Sequence, residues 1–449
     1  MRRFFYDFNQ LPSSIRYWLK RRVTRPGWFV LVGLVVSAMF GLDTEQSLTY
    51  QAFPFLLLLL GISVASCRFF RVRFKAQRIL PRYATVGEPF AYRVVVLNEG
   101  RKVEAGLAVM DNLADPRPAY EEFVHTPVPG EEQRSWFERS IGSYRWIWLV
   151  SRSQQATVRE VPLPAVGPRG RAEVQIEMTP SQRGHLRFTG VSVTRQDPFG
   201  LFKASVTLPS NQSVLVLPRR YAVPDIQLSG TRKYQHGGVG LASSVGDSEE
   251  FISLRDYRPG DPLRRIHWKS FAKKGKPVVK EHQEEFFVRQ ALILDTFLDT
   301  DHREILEEAV SVGASFACSI LTQESLLDLL FVGPEAYCFT AGRGVGHTDR
   351  MLEILACVRA CRERPFSALH HLVLRRQSLL SGCICILLSW DEDRQRLIRQ
   401  LQALQVPILV LLIAQAGSSP SGASDSLTDK PVWFHRLEAG RIAEGLAKL

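Results

Sequence analysis

The sequence predicts a multidomain chain: an N-terminal helical hairpin that crosses a membrane twice, then an antiparallel β-sandwich, then a C-terminal α/β domain. Three observations predict it. Two uncharged apolar runs stand near the N-terminus between arginine-rich flanks; period-two alternation dominates residues 82–218; beyond residue 285, continuous apolar strands alternate with amphipathic helices. With 449 residues, 45% hydrophobic and 23% charged, the chain can bury several cores and is too apolar for disorder. Its cysteines number seven, with none between Cys67 and Cys318, which excludes a disulfide scaffold and fits a reducing compartment.

The net charge of +12 is concentrated at one end, because residues 1–80 carry twelve Arg and Lys against three Asp and Glu. Between Arg25 and Asp43 lies an uncharged run of 17 residues, and between Glu45 and Arg68 a second of 22. At 1.5 Å per residue the first reaches about 25 Å against a hydrocarbon core of about 30 Å, so it relies on Trp28 and flanking arginines at the interface. The second is long enough, with Pro54 in its first turns, where a missing N–H matters least. The connection DTEQSLTYQ has no Lys or Arg. Positive-inside bias therefore puts it outside and both termini in the cytoplasm: a basic N-terminus over 1–25 and two spans over 26–67. A cleaved signal peptide fits less well, since an A-x-A-like site is missing and a second apolar run follows at once.

Residues 80–220 are predicted to form the sandwich, immunoglobulin-like in architecture, though without the cysteine pair of an antibody domain. In FAYRVVVLNEG, Phe90, Tyr92, Val94 and Val96 share one face; in RAEVQIEM, Ala172, Val174, Ile176 and Met178 do the same. SYRWIWLV (143–150) is predicted as another aromatic strand. Turn signals at Arg183-Gly184 and at Asp197-Pro198-Phe199-Gly200 bracket a further strand, as a hairpin and a corner.

Residues 221–285 form a linker and the densest motif of the chain, EEFISLRDYRPGDPLRRIHWKSFAKKGKPVVKE (249–281). Pro259-Gly260 reads as a turn, Asp261 as a cap and Pro262 as the first residue of a helix that Gly275 stops. Arg255, Asp256, Arg258, Asp261, Arg264 and Arg265 either form a charged lattice that pins this helix or present a docking patch for an acidic partner. Nucleic acid is not expected as a partner, because aromatic interleaving is limited to Trp268 and Phe271 and the charge outside residues 1–80 is near balance.

This string, with the preceding QDPFGLF and the following strand that ends in Asp295, resembles the bacterial domain-of-unknown-function family 58, in the form F-x-x-L-R-x-Y-x-x-G-D-x-x-R-x-I-x-W-K. The resemblance implies two N-terminal spans, a β-rich domain and a von Willebrand factor A-like α/β domain in the bacterial inner membrane. It further implies partnership with a MoxR-type AAA+ ATPase in assembling or maturing other proteins. The motif residues it marks, as family signature and partner-binding candidates, are Arg255, Asp256, Tyr257, Gly260, Asp261, Arg264, Arg265, Trp268 and Lys269.

Over 286–449 the runs VRQALILD, SLLDLLFV, CICILLSW and PILVLLI predict strands, with helices over about 301–321, 348–379 and 391–404, hence a parallel sheet covered on both faces. Ligands in such folds sit at the carboxyl ends of the strands. There, the resemblance to the A-type domain implies a divalent cation held by D-x-S-x-S and by later Thr and Asp residues, chemistry that suits Mg²⁺. Here the motif reads Asp295-Thr296-Phe297-Leu298-Asp299, with Phe297 replacing a Ser and Asp299 the other; Thr348 and Asp391 stand where the later ligands would be. The plainer reading is that Thr348 and Asp391 cap helices and that no cofactor is bound.

Other chemistry is missing from the sequence. It has no Walker A loop, H-E-x-x-H or G-x-S-x-G elbow. Gly313-Ala314-Ser315 falls inside a helical run; Cys357, Cys361, Cys383 and Cys385 read as small buried hydrophobes and His370-His371 as structural. The segments 236–246 and 416–429 read as loops. The expectation is an interaction protein and not an enzyme, tethered to the membrane and facing the cytoplasm. A Mg²⁺-dependent regulator and an unrecognised cell-envelope enzyme are the alternatives.

Overall fold

The structure is a computed structural model. It describes residues 2–40, 48–70, 72–126, 128–131, 134–224, 226, 251–259, 263, 266–282, 289–298, 303–321, 326–342, 345–415 and 433–449. The chain divides into two compact units, Met1–Arg219 and Arg220–Leu449.

The first unit opens with three helices, α1 (Arg2–Arg22), α2 (Arg25–Phe40) and α3 (Leu48–Arg68). Among the described residues one window, Gln51–Arg68 in α3, is long and apolar enough to cross a membrane; α2 is apolar but has only 16 residues. The two helices pack together, with Leu56 lying 3.5 Å from where a side chain on Gly33 would begin. Phe29, Val32 and Val35 of α2 and Phe55 and Leu58 of α3 stay exposed. Apolar surface on all sides of a helix suits lipid or a protein core.

The sandwich follows: β1 (Phe74–Ile79), β2 (Tyr83–Thr85), β3 (Phe90–Asn98), β4 (Leu107–Leu113), then helices α4 (Tyr120–His125), α5 (Trp136–Ile141) and α6 (Ser143–Ser153), then β5 (Val161–Leu163), β6 (Arg171–Met178), β7 (Gly184–Gln196) and β8 (Lys203–Leu217). A three-stranded sheet, β1-β3-β6, faces a five-stranded sheet, β2-β8-β7-β4-β5, across one core. The inward alternation holds as read: Tyr92, Val94 and Val96 on β3 meet Val174, Ile176 and Met178 on β6, all buried. Pairing is antiparallel except between β2 and β8, which run parallel.

SYRWIWLV is a helix and not a strand. Gly142, Trp146 and Leu149 are buried, at the spacing of one helical face, while Ile147 is exposed. Trp146 and Leu149 pack with Phe123 of α4 into a small separate core. Aromatic content suggested a strand, and the periodicity of burial overrides it. This insertion seats α1, also unforeseen as a helix: Tyr6 donates its hydroxyl to the Pro118 carbonyl at 3.1 Å and packs edge-on against Trp146, and Asn9 donates to the Ile141 carbonyl at 2.7 Å.

Two polar features organise this unit. Between the sheets lies a fully buried ion pair, Arg78 with Asp111: Nε donates at 2.8 Å, and the Tyr92 hydroxyl donates to the same carboxylate at 2.7 Å. Burial, then the Asp111 charge, pushes the Tyr92 hydroxyl far above its ordinary value. The second is the Asp197-Pro198-Phe199-Gly200 corner between β7 and β8. The Asp197 carboxylate accepts the N–H of Phe202 at 2.7 Å and of Phe199 at 3.2 Å, and Gly200 takes the left-handed φ of +69° that the turn requires. The corner then grips the start of α2, where the Thr24 N–H and hydroxyl both donate to the Leu201 carbonyl at 3.0 Å. A Cβ at Gly27 would lie 2.2 Å from that carbonyl oxygen, so only glycine allows this approach. QDPFGLF is therefore the joint between the sandwich and the helix pair.

The second unit begins with the signature hairpin, β9 (Phe251–Asp256), α7 (Trp268–Lys274) and β10 (Val278–His282), in which β9 and β10 pair antiparallel. Then come β11 (Arg289–Leu294), α8 (Arg303–Leu321), β12 (Leu326–Val332), β13 (Ala336–Ala341), α9 (Val345–Cys357), α10 (Ser367–Leu374), β14 (Gly382–Leu387), α11 (Glu392–Ala403), β15 (Ile408–Ala414), β16 (Trp433–Glu438) and α12 (Ile442–Leu446). The sheet order is β13-β12-β11-β14-β15-β16, parallel except for β13 against β12, so it is mixed where an all-parallel sheet was expected. Ala291, Ile293, Cys383 and Cys385 pack under α10 and α11, while Ile386 lies beside Gly313 of α8 on the other face. Both faces are covered, which is why these strands read as unbroken apolar runs.

Candidate functional site

In a sheet of order 3-2-1-4-5-6 the chain leaves the first and fourth strands in opposite directions, opening a crevice beyond their carboxyl ends. Those strands are β11 and β14. Asp295 follows β11 directly and is fully buried. Its Oδ1 accepts the N–H of Phe297 at 3.0 Å and its Oδ2 that of Leu388, just past β14, at 3.1 Å. Facing it is Arg394 of α11, whose Nε donates to Oδ2 at 2.6 Å and whose second terminal nitrogen donates to Oδ1 at 3.2 Å and to the Phe297 carbonyl at 3.0 Å. The remaining terminal nitrogen pairs with Asp391. The guanidinium also lies 4.7 Å from the centre of the Phe366 ring.

One arginine thus spans the two carboxylates that the cation reading needs. Burial raises Asp295 above the ordinary carboxylate range, and the charge and hydrogen bonds of Arg394, then the two N–H groups, oppose that rise without cancelling it. Burial lowers Arg394, but Asp295 and then Asp391 outweigh it and hold the guanidinium above its usual value. The pairing offsets part of the desolvation cost that either charge would carry alone.

Asp391 caps α11 as expected, accepting the Arg394 N–H at 3.0 Å. Thr348 does not cap a helix: it lies within the first turn of α9. Phe297 is buried, bridges by its backbone to Cys361 and packs edge-on against Phe366. Asp299 lies outside the described residues, and among those described no cluster of three or more His, Cys, Asp or Glu could hold a metal. Cys361, Cys383 and Cys385 are buried as read, whereas Cys357 is exposed.

Sequence reasoning missed Arg394, although its position carries a signal. Arg394, Leu397, Ile398 and Leu401 follow at i, i+3, i+4 and i+7, so the arginine lies on the buried stripe of α11 and needs a buried partner.

The signature motif offers a second surface. Helix α7 runs from Trp268, and the two residues before it pair with β10: Ile266 bridges to Val279, and the His267 N–H donates to the Val278 carbonyl at 2.8 Å; Pro262, where the helix was expected to begin, lies outside the described residues. His267 Nδ1 lies 2.6 Å from the Ser270 hydroxyl, and Gly275 ends α7 with a φ of +66°. The apolar side chains of this motif divide. Ile266, Val278 and Val279 are buried, while Leu263 and Trp268 are 66% and 63% exposed and Phe271 lies edge-on to Trp268. Asp256, Arg258, Lys269 and Lys273 are exposed around them, and Arg255 and Tyr257 are half-buried. Gly260, Asp261, Arg264 and Arg265 fall outside the described residues, as do 236–246 and 416–429.

Residues 253–380 match the family described as "Protein of unknown function DUF58". Over that stretch the chain is similar to the DUF58 family. This match spans the signature hairpin, the switch-point aspartate and the sheet as far as the approach to β14. A relative in Bacillus subtilis (strain 168), "Uncharacterized protein YeaD", is 27% identical over 193 residues, 42% of this chain and 47% of that protein, so the chain spans about half the length of the relative it matches. Among solved structures, the CARDB domain of PF1109 from Pyrococcus furiosus aligns with 32% of this chain and 93% of its own at 13% identity and a TM-score of 0.17. A cohesin module from a Clostridium perfringens family 33 glycoside hydrolase aligns with 32% and 98% at 10% identity and a TM-score of 0.15.

Proposed function

We propose that this protein is a membrane-tethered docking protein whose signature hairpin binds an acidic surface of a protein partner, with a MoxR-type AAA+ ATPase as that partner and assembly or maturation of other proteins as the outcome. The observation that carries the reading is the exposed Leu263, Trp268 and Phe271 set among Arg258, Lys269 and Lys273. Aromatic anchors beside exposed charge that is mostly basic, with Asp256 as the acid among it, have the composition of an interface hot spot with a charged rim. Around the switch point, Arg394 neutralises the carboxylates that a catalytic or metal-binding role would need free, which supports docking over chemistry. In this reading the second unit is von Willebrand factor A-like and needs no cation, and the sandwich is an immunoglobulin-like spacer. Helices α2 and α3 cross the bacterial inner membrane with both chain ends in the cytoplasm.

A pull-down with the detergent-solubilised full chain tests this. The wild type should recover an AAA+ ATPase, and Trp268→Ala with Lys269→Glu should cut recovery about tenfold or more, as loss of a hot-spot aromatic and a rim charge would. Equal recovery by both chains would remove this surface from the account.

A further inference from the structure

We infer that α1 lies in the plane of the membrane surface, and that the cleft between α1 and the start of α2 holds the headgroup of an anionic phospholipid. The inference rests on the membrane-tethered reading above and adds the lipid class and the residues that select it.

The helix α1 has two different faces. One carries Tyr6 and Asn9 and is bound to the α4–α6 insertion. The other carries Phe8, Leu11, Ile15 and Trp18, at i, i+3, i+7 and i+10, all exposed. A stripe of large apolar side chains along a helix rich in arginine is the pattern of an interfacial helix, whose apolar face enters the boundary between headgroups and acyl chains. Continuity favours the same solvent here, because Thr24 and Gly27 tie the end of α1 and the start of apolar α2 to one joint.

The cleft adds selectivity. It has a volume of about 600 Å³ and is lined by the apolar Pro12, Ile15, Leu19, Val23 and Trp28 together with Arg16, Lys20 and Arg25. All three cations are exposed, and no described carboxylate pairs with any of them. Apolar side chains and three exposed cations lining one cleft suit an acyl chain against the former and a phosphate against the latter. Water alone would leave the apolar side chains unsatisfied, and a zwitterionic headgroup would bring its own cation against the three.

The test uses the full chain, extracted in mild detergent, stripped of lipid, and titrated with phosphatidylglycerol or phosphatidylcholine while thermal unfolding and bound lipid by native mass spectrometry are followed. Phosphatidylglycerol should bind and raise the unfolding midpoint, and phosphatidylcholine should not. Arg16→Gln/Lys20→Gln/Arg25→Gln should weaken phosphatidylglycerol binding about a hundredfold, whereas Arg16→Lys/Arg25→Lys should keep it. Equal binding of the two lipids, equal binding by wild type and the Gln variant, or reproduction of the whole effect by inorganic phosphate would overturn the inference. Carbonate extraction of cell membranes separates the two levels. A chain released by carbonate contradicts the tether itself, while a retained chain without lipid preference contradicts only the headgroup site.

Discussion

Replacing Arg394 with alanine should destabilise the second unit by about 3–5 kcal/mol, the cost of leaving a buried charge without its partner. Asp295 would keep only the N–H groups of Phe297 and Leu388, and the cavity left by the guanidinium would add to the loss. Asp295→Asn combined with Arg394→Met should recover most of the stability, because removing both charges also removes the desolvation cost. The reading belongs on the amides of β11 and β14 by hydrogen exchange, since a chain of two units has no single unfolding midpoint. Millimolar Mg²⁺ should leave wild-type exchange unchanged. A Mg²⁺-dependent rise in protection would favour the regulator reading and displace the arginine from its assigned role.

Asp111→Ala should be comparably costly in the first unit, about 3–5 kcal/mol, because it leaves the buried Arg78 charge with only the neutral acceptors Ser210, Gln212 and Gly190 and takes the acceptor from the Tyr92 hydroxyl. Protection of the β1 and β4 amides should fall about a hundredfold or more, with β11 and β14 unaffected. Arg78→Met, Tyr92→Phe and Asp111→Leu together should come close to the wild type. The stacking of Arg78 over Phe188 at 4.5 Å shows that an apolar side chain already has a surface to rest on there. If Asp111→Ala alone were neutral, the pair would not organise this core.

Much of this architecture was legible because burial leaves a period in the sequence. Tyr92, Val94 and Val96 alternate, and β11, β12, β14 and β15 are apolar on both faces, so strands and layers follow from side chains alone. The misreadings arise where tertiary partners decide. SYRWIWLV has strand composition, but Trp146 and Leu149, on one helical face, pack with Phe123 into a shared buried cluster. In the signature motif Ile266 and His267 pair with β10 just before α7, a contact that local capping rules do not see. Strand β13 escaped notice since its edge position leaves Tyr337 and its neighbours half-exposed, without a clean alternation. Of the candidate site, Asp295 and Asp391 were identified by motif, but the Arg394 that joins them lies 99 residues from Asp295 in the chain. Trp268 was visible in the motif, whereas its exposure depended on which side chains β10 would cover.

The most direct test of the docking claim is photo-crosslinking from position 268 in the membrane-bound full chain, with a photoreactive phenylalanine analogue in place of Trp268. The account predicts one discrete adduct with an AAA+ ATPase, abolished by Lys269→Glu and Lys273→Glu and unaffected by Arg394→Met/Asp295→Asn. Adducts only with lipid or with this chain itself, or a protein adduct indifferent to the lysines, would contradict it.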